Sequence, residues 1–129
     1  MKKIIQTKNA PAPIGPFSQA THYNGTLYVS GQLPIDPTTG EIDGTDIQTQ
    51  TRRVMDNLMA IVEAAGATAA NILKCTILLT DMRHFAAMNE VYGSYFAAGP
   101  PARICYQVSA LPRGAIVEVD AVVACADHI

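Results

Sequence analysis

Arg103 and Glu118 are charged residues on two segments that otherwise have the composition of apolar strands. A charged group on a sheet face that meets a core needs a partner or a ligand, because removing an unpaired charge from water is costly. The planar fork of an arginine meets a carboxylate with two parallel hydrogen bonds. A glutamate can accept a proton from water. The pair predicts a site that holds a small carboxylate and manages one water or one proton.

Simpler roles for the same residues stay open on the sequence alone. Arg103 can be an exposed arginine at the start of a strand, and Glu118 can be a solvated acid on an edge strand. Asp120 shares the predicted strand face of Glu118 and competes with it for the role of the acid. Cys105 is expected to be a packed small residue rather than a nucleophile, since no histidine is near it in sequence and nothing local lowers its pKa. Its strand offers a backbone N–H instead.

Other residues that can take part in chemistry have less specific signals. Gly31 follows Ser30 at the end of a predicted strand, where glycine permits either a bend or the close approach of a ligand. Asn89 lies beside the apolar stripe of a predicted helix, where a solvated or capping role is the default. The three histidines, which are His22, His84 and His128, lack metal-ligand spacing. His84 at a helix start and His128 in the tail are expected on the surface.

The composition limits the class of protein. The chain has 129 residues, a length that fits a single domain over 1–129. Charged residues make up only 16% and hydrophobic residues 49%, which predicts that partner subunits cover part of the surface. The formal net charge is −2 and no run of basic residues occurs, so nucleic-acid binding has little electrostatic support.

The cysteines and the hydropathy pattern predict a cytoplasmic protein. Cys75, Cys105 and Cys125 are odd in number and widely spaced, which matches neither a zinc site nor a disulfide framework. The polar residues 6–9 interrupt any signal-peptide core after Met1, and no apolar run reaches the roughly 18 residues that a membrane span needs.

The predicted elements are strands, a helix, a strand, a second helix and two final strands. This order predicts an α+β domain with one sheet and two helices on one of its faces. Asn24-Gly25 is a strong hairpin signal, and a capping-box spacing at Thr45 and Gln48 starts the long first helix, which Gly66 should end. Asp81 is expected to cap the second helix. The predicted strands and helices occupy 3–7, 17–23, 26–30, 45–65, 72–80, 81–98, 102–110 and 115–125.

The last two strands are expected to pair as a hairpin around the four residues 111–114. In that register Arg103 lies opposite Val122 and four residues from Glu118. Strand parity then places Arg103, Cys105 and Glu118 together on the face that no helix covers. At about 3.3 Å per residue the two backbones are roughly 13 Å apart along the strand, which leaves room for a small molecule.

The chain resembles the Rid family, the reactive intermediate deaminases also called RidA or YjgF-type proteins. The most specific part of the likeness is Pro101-Ala102-Arg103, then Leu111-Pro112, then Glu118. The resemblance covers nearly the whole chain in order. The matching segments are Asn9–Pro11, Ile14–Ala20, Ser30–Pro34, Asn57–Leu58, Val62–Ala67, Lys74–Asp81, Phe85–Ala86, Asn89–Tyr92, Pro101–Arg103, Cys105, Leu111–Pro112 and Val117–Val119.

The resemblance implies a chorismate-mutase-like α+β fold with a mixed sheet. It implies a homotrimer whose sheets form a central barrel, with three pockets at the subunit interfaces. The implied activity is hydrolysis of 2-enamine and 2-imine acids to 2-keto acids and ammonia, with 2-iminobutanoate and 2-iminopropanoate as substrates. The implied partners are a small 2-imino or 2-keto acid and copies of the same chain, without a membrane or a nucleic acid. No cofactor and no metal is implied.

The resemblance also assigns roles to individual residues. It implies that Arg103 binds the substrate carboxylate and that Glu118 positions or activates the attacking water. The backbone N–H of Cys105, rather than its sulfur, contacts the ligand. Gly31, with Ser30 beside it, provides a backbone contact to the imine or carbonyl region. Asn89 is expected near the rim of the pocket.

Phe17 departs from the family pattern, in which tyrosine is common at this position. The ring can still wall the pocket, but the hydroxyl and any hydrogen bond it makes are absent, so a slower or differently selective site is expected. A non-catalytic keto-acid-binding regulator is therefore an alternative function. A ribonuclease-type translation inhibitor is a further alternative, which the acidic composition disfavours.

Overall fold

The computed structural model describes residues 1–127, so the prediction for His128 lies outside the described residues. The helices and strands are β1 Lys3–Ile5, β2 Ala20–Tyr23, β3 Thr26–Gln32, α1 Ile47–Ala64, β4 Ile72–Leu79, α2 Phe85–Gly93, β5 Ala102–Gln107 and β6 Val117–Ala124. No helix in this range is long and apolar enough to cross a membrane.

The six strands form one mixed sheet in the order β1-β2-β3-β6-β4-β5. β4 and β5 run parallel, and every other neighbouring pair is antiparallel. α2 connects the two parallel strands, as a parallel crossover requires. This arrangement confirms the predicted α+β class. It leaves β1 and β5 at the two edges of the sheet.

The predicted hairpin between the last two strands is wrong. β5 pairs with β4, and Arg103 lies opposite Cys75 rather than opposite Val122. β6 has β3 on one side and β4 on the other, so neither edge is left for β5. The chain passes from β5 to β6 through a short 3₁₀ turn at Pro112–Gly114.

The two helices pack on one face of the sheet, as predicted. Along β6 the core residues Val117, Val119, Ala121 and Val123 are buried, and the residues between them are partly exposed. The core side of α1 contributes the fully buried Leu58 to the same cluster. The buried face of β6 and the apolar face of α1 therefore belong to one core.

The ends of the elements follow local chemistry, but some differ from the prediction, most clearly at α2, which is shorter than the predicted helix 81–98. Asp46, not Thr45, is the N-cap of α1, and its carboxylate accepts a hydrogen bond from the Thr49 amide. Asp46 is an equally good cap, since a carboxylate satisfies a free amide and favours the positive end of the helix. Gly66 has a φ of 84° just after the C-cap, as predicted. Asp81 caps the 3₁₀ turn Met82–His84, which precedes α2.

The opposite face of the sheet carries no helix, and large apolar side chains lie exposed on it. Strand register places five residues there that are 49% to 60% exposed: Ile4, Tyr23, Tyr28, Ile104 and Tyr106. We call this surface the helix-free face. A clustering of exposed apolar side chains on one face is typical of a surface that contacts another protein.

Candidate functional site

Arg103 projects toward the helices, not onto the helix-free face. Its strand partner is Cys75, which is 1% exposed and belongs to the helix-covered core. From this position Nη1 of Arg103 donates a 2.8 Å hydrogen bond to Oδ1 of Asn89 on α2. The sequence-based expectation that Arg103 shares the face of Glu118 is wrong. Alternation along β5 shows which of its residues share a face, but only the pairing with β4 decides which face of the sheet that is.

Two aromatic rings of α2 lie beside the Arg103 guanidinium. Its Cζ is 5.1 Å from the ring centroid of Tyr92 and 5.5 Å from that of Phe85, distances at which the ring quadrupole attracts a cation. No carboxylate of residues 1–127 lies within 4.0 Å of this guanidinium. The charge is therefore held by neutral groups and is free to pair with an anion.

Cys105 offers its backbone N–H rather than its thiol. The amide of Val108 donates to the Leu79 carbonyl of β4 at 2.9 Å. Amides alternate in direction along a strand, so the Cys105 amide, three residues earlier, points away from β4 toward the open edge of the sheet. Burial raises the pKa of the Cys105 thiol, while the nearby charge of Arg103 lowers it only in part. The thiol is therefore a poor nucleophile near neutral pH.

Glu118 lies on the helix-free face, opposite Leu78 of β4. Its carboxylate occupies the space above Gly31, where an added Cβ would lie 2.9 Å from Cδ of Glu118. This close approach occurs where the pairing of β3 with β6 shifts register, between Val29 and Gln32. Among residues 1–127, the carboxylate has neither a hydrogen-bond donor nor a cation within bonding distance. It is free to bind a water or a ligand.

The environment of Glu118 favours its protonated form. Burial, and then the negative charge of Asp120, raise the pKa of the Glu118 carboxyl above its usual range. Asp120 shares the same face, but its Oδ1 accepts a 2.9 Å hydrogen bond from the Thr76 amide. Of the two candidate acids, Asp120 is thus engaged in the sheet and Glu118 is the one available for chemistry.

Ser30 and Phe17 lie near Gly31, the residue against which Glu118 rests. The Ser30 hydroxyl donates a 2.6 Å hydrogen bond to the Ser18 carbonyl, which ties the strand to the preceding loop. Phe17 is 47% exposed and lines a shallow, largely apolar groove together with Gly31 and Leu33. Gly31 lies both in this groove and beneath the Glu118 carboxylate, so it connects the two.

The predicted site is thus divided within one copy of the chain. The arginine half consists of Arg103, Cys105 and Asn89, with Phe85 and Tyr92 beside them. The acid half consists of Glu118, Gly31, Ser30 and Phe17. The halves lie on opposite faces of the sheet, and β4 runs between the strands that carry Arg103 and Glu118. A single copy does not bring them together.

Reasoning from the residues alone missed the two rings beside Arg103 and gave Asn89 a solvated or capping role by default, whereas the family resemblance placed Asn89 near the pocket. Phe85, Asn89 and Tyr92 have the spacing i, i+4, i+7, which places three residues on one face of a helix. That spacing is visible in the sequence and predicts that the three residues share a face. What the pattern lacked was the pairing of β5 with β4, which brings Arg103 to this face.

The chain is similar to known proteins over nearly its whole length. The family model described as endoribonuclease L-PSP matches residues 7–125. A RutC family protein of Pyrococcus horikoshii is 50% identical over 95% of this chain and 97% of its own length. The 2-iminobutanoate/2-iminopropanoate deaminase of Mus musculus is 43% identical over 95% of this chain and 90% of its own. The crystal structure of YyfA from Yersinia pestis, described as a conserved Rid family protein of unknown function, has a TM-score of 0.94 at 46% identity, covering 96% of this chain and 99% of that one.

Proposed function

The chain belongs to the Rid family, whose family model is described as endoribonuclease L-PSP, and on that premise we propose that it hydrolyses 2-imino acids to 2-keto acids and ammonia. The observation that carries the proposal is the Arg103 guanidinium, which Asn89 fixes and which no carboxylate of residues 1–127 neutralises. A fixed, unpaired guanidinium is suited to bind the carboxylate of a small acid with two hydrogen bonds. The mouse relative that is named a deaminase supports the choice of reaction.

The proposed reaction starts from the iminium form of the substrate, which is already electrophilic at C2. Arg103 holds the carboxylate and fixes the position of C2. The oxygen of a water bonds to C2 while Glu118 accepts one proton from that water, and the C=N electron pair moves onto nitrogen. Glu118 returns its proton to the nitrogen, the C–N bond breaks, and ammonia leaves with the bonding pair. The hydroxyl loses its proton to solvent as the C=O bond of the keto acid forms.

The raised pKa of Glu118 suits this exchange of protons. A carboxylate whose pKa is raised above its usual range accepts a proton from water more readily than an exposed glutamate does. A tetrahedral intermediate with hydroxyl and amine groups needs both a hydrogen-bond acceptor and a donor. The unpartnered Glu118 carboxylate provides the acceptor, and the outward-pointing Cys105 amide provides the donor.

The proposal includes a homotrimer with active sites between subunits. Two observations support it. The arginine half and the acid half lie on opposite faces of one copy, so a complete site requires a second copy. The helix-free face also exposes apolar side chains such as Tyr28 and Tyr106, which a neighbouring copy would cover. In this arrangement each site combines Arg103 of one copy with Glu118 of the next.

An imine-lifetime assay tests the proposal. An amino-acid oxidase supplies 2-iminobutanoate, a trapping reagent reports the remaining imine, and the protein should shorten its lifetime. Arg103→Ala should lower kcat/KM by about 10- to 100-fold, as expected for the loss of charge-assisted hydrogen bonds. Arg103→Lys keeps the positive charge but loses the planar fork, so its kcat/KM should lie between those of the wild type and Arg103→Ala. Full activity in Arg103→Ala, or no activity in the wild type, would contradict the proposal.

A second candidate function is favoured by Phe17, which lacks a tyrosine hydroxyl at the edge of the acid half. The same arginine would then bind a 2-keto acid without turnover, and the protein would act as a metabolite sensor. Tight keto-acid binding together with an unchanged imine lifetime would favour this function over the deaminase.

A further inference from the structure

Helix α2 presents Phe85, Asn89 and Tyr92 on one face, and all three contact the Arg103 guanidinium. We propose that the rings of Phe85 and Tyr92 are positioning residues that fix the guanidinium plane for carboxylate binding without neutralising its charge. This inference rests on the proposed function, in which Arg103 binds the substrate carboxylate. It adds two residues to the site and assigns the orientation of Arg103 to a single helix.

The need for such a device follows from how little else holds Arg103. Among residues 1–127 its one side-chain hydrogen bond is from Nη1 to Asn89. An arginine has five N–H donors, so four remain available. A carboxylate partner would fix the side chain but would also occupy its fork and cancel its charge. Aromatic ring faces attract the cation and leave the donors at its edge free.

Tyr92 is the fixed member of the pair. It is 3% exposed, and its ring packs against Phe96 with centroids 4.9 Å apart. Its buried hydroxyl finds no hydrogen bond of good geometry in the described part of the chain, and the Cys75 thiol is its polar neighbour. The ring, not the hydroxyl, is therefore what Tyr92 contributes to Arg103.

Phe85 is the outer member of the pair. It is the first residue of α2 and is 36% exposed, so part of its side chain meets the surroundings. Attraction between a cation and a ring is weaker at an exposed position than at a buried one. Loss of the Phe85 ring should therefore affect Arg103 less than loss of the Tyr92 ring.

Calorimetric titration with 2-oxobutanoate and with its neutral amide tests the inference without turnover. Tyr92→Leu should weaken binding of the acid by about 5- to 30-fold, and Phe85→Leu by about 2- to 5-fold, from the usual strength of buried and exposed cation–ring contacts. Binding of the amide should stay the same, since it lacks the charge that Arg103 recognises. Tyr92→Phe keeps the ring and should bind the acid within about 2-fold of the wild type.

Met88→Ala is the matched control, because Met88 is fully buried in the same helix and has no ring to offer Arg103. It should lower the melting temperature and leave the ratio of acid to amide affinity unchanged. Equal acid affinity in the wild type and both leucine variants would overturn the inference while the deaminase proposal stands. An equal loss of affinity for the acid and the amide would also overturn it, as would the same loss of acid affinity in Met88→Ala. A wild type that binds no 2-oxobutanoate would instead overturn the proposed function itself. Because Phe85 is partly exposed, Phe85→Leu provides the test even where Tyr92→Leu does not fold.

Discussion

The Glu118 carboxylate lies directly over the α-carbon of Gly31, in the space that any side chain at position 31 would fill. The φ of Gly31 is not positive, so its backbone does not demand glycine. The requirement is one of volume: an added Cβ would lie 2.9 Å from Cδ of Glu118 and closer still to Oε2. Gly31 thus allows the acid to rest against the strand, beside the groove that Phe17 lines.

Gly31→Ala should separate the position of Glu118 from the stability of the fold. The clash falls on the far end of a flexible side chain, so the carboxylate can move aside and the protein should fold with a melting temperature near that of the wild type. A displaced general base should lower kcat by about 100-fold. Imine-lifetime kinetics and thermal unfolding provide the two measurements.

Gly93→Ala is the control for this change, since an added Cβ there meets nothing within 4 Å. It should keep the activity of the wild type. If Gly31→Ala also keeps full activity, the Glu118 carboxylate does not act from the place above Gly31.

Asp120→Asn should shift the pH profile of the reaction toward lower pH. Glu118 must be deprotonated to accept a proton, so activity falls as the pH drops through its pKa. Burial and the charge of Asp120 both raise that pKa. The asparagine removes the charge and keeps an oxygen for the Thr76 amide. The acidic limb of the plot of kcat/KM against pH should therefore move to lower pH. It should not reach the pKa of an exposed glutamate, because the effect of burial remains. A limb that stays in place would contradict the coupling of the two acids.

Glu118→Gln should stabilise the fold near neutral pH while removing activity. The pKa of Glu118 is raised in the folded state, so the folded protein binds the proton more tightly than the unfolded chain does. The contribution of Glu118 to the free energy of unfolding is greatest when the pH is below the pKa that Glu118 has in the unfolded chain. This contribution is lost as the pH rises through the pKa that Glu118 has in the folded protein. Glutamine carries no charge at any pH. Its melting temperature should exceed that of the wild type at pH 7, and the gain should vanish near pH 4.

The sequence predicted those parts of the structure that depend on local patterns. The Asn24-Gly25 turn and the end of α1 at Gly66 each have a signal within about ten residues. The sequence contains no such signal for the strand that pairs with β5. Because β5 has six residues and is exposed at most positions, its pattern is equally compatible with pairing to β4 or to β6. Strand parity correctly placed Arg103 and Cys105 on one face of β5, but it wrongly placed them on the face of Glu118. The face to which Arg103 points depends on pairing with β4, which is a long-range property.

Phe17→Tyr should increase the rate of imine hydrolysis. Phe17 is half exposed at the edge of the acid half, where a hydroxyl can reach a water or substrate without being buried. One added hydrogen bond of the usual strength corresponds to about a 2- to 12-fold gain in kcat/KM. Phe17→Leu removes the ring and serves as the comparison, since it should lower activity if the ring walls the pocket. A tyrosine variant no faster than the wild type would mean that the missing hydroxyl has no role here.

Mixing two impaired variants should restore activity if each site is built from two copies. Arg103 and Glu118 lie on opposite faces of one chain, so Arg103→Ala and Glu118→Ala each damage a different side of the proposed interface. Unfolding and refolding an equal mixture should produce some interfaces that have both native residues. Random assembly predicts that roughly a quarter of the sites are intact, whereas each variant alone should refold to a protein that keeps only its own low activity. Light scattering or sedimentation on the same samples measures the oligomeric state. If the mixture stays as inactive as its components while assembling normally, both residues act within a single copy and the intersubunit site is wrong.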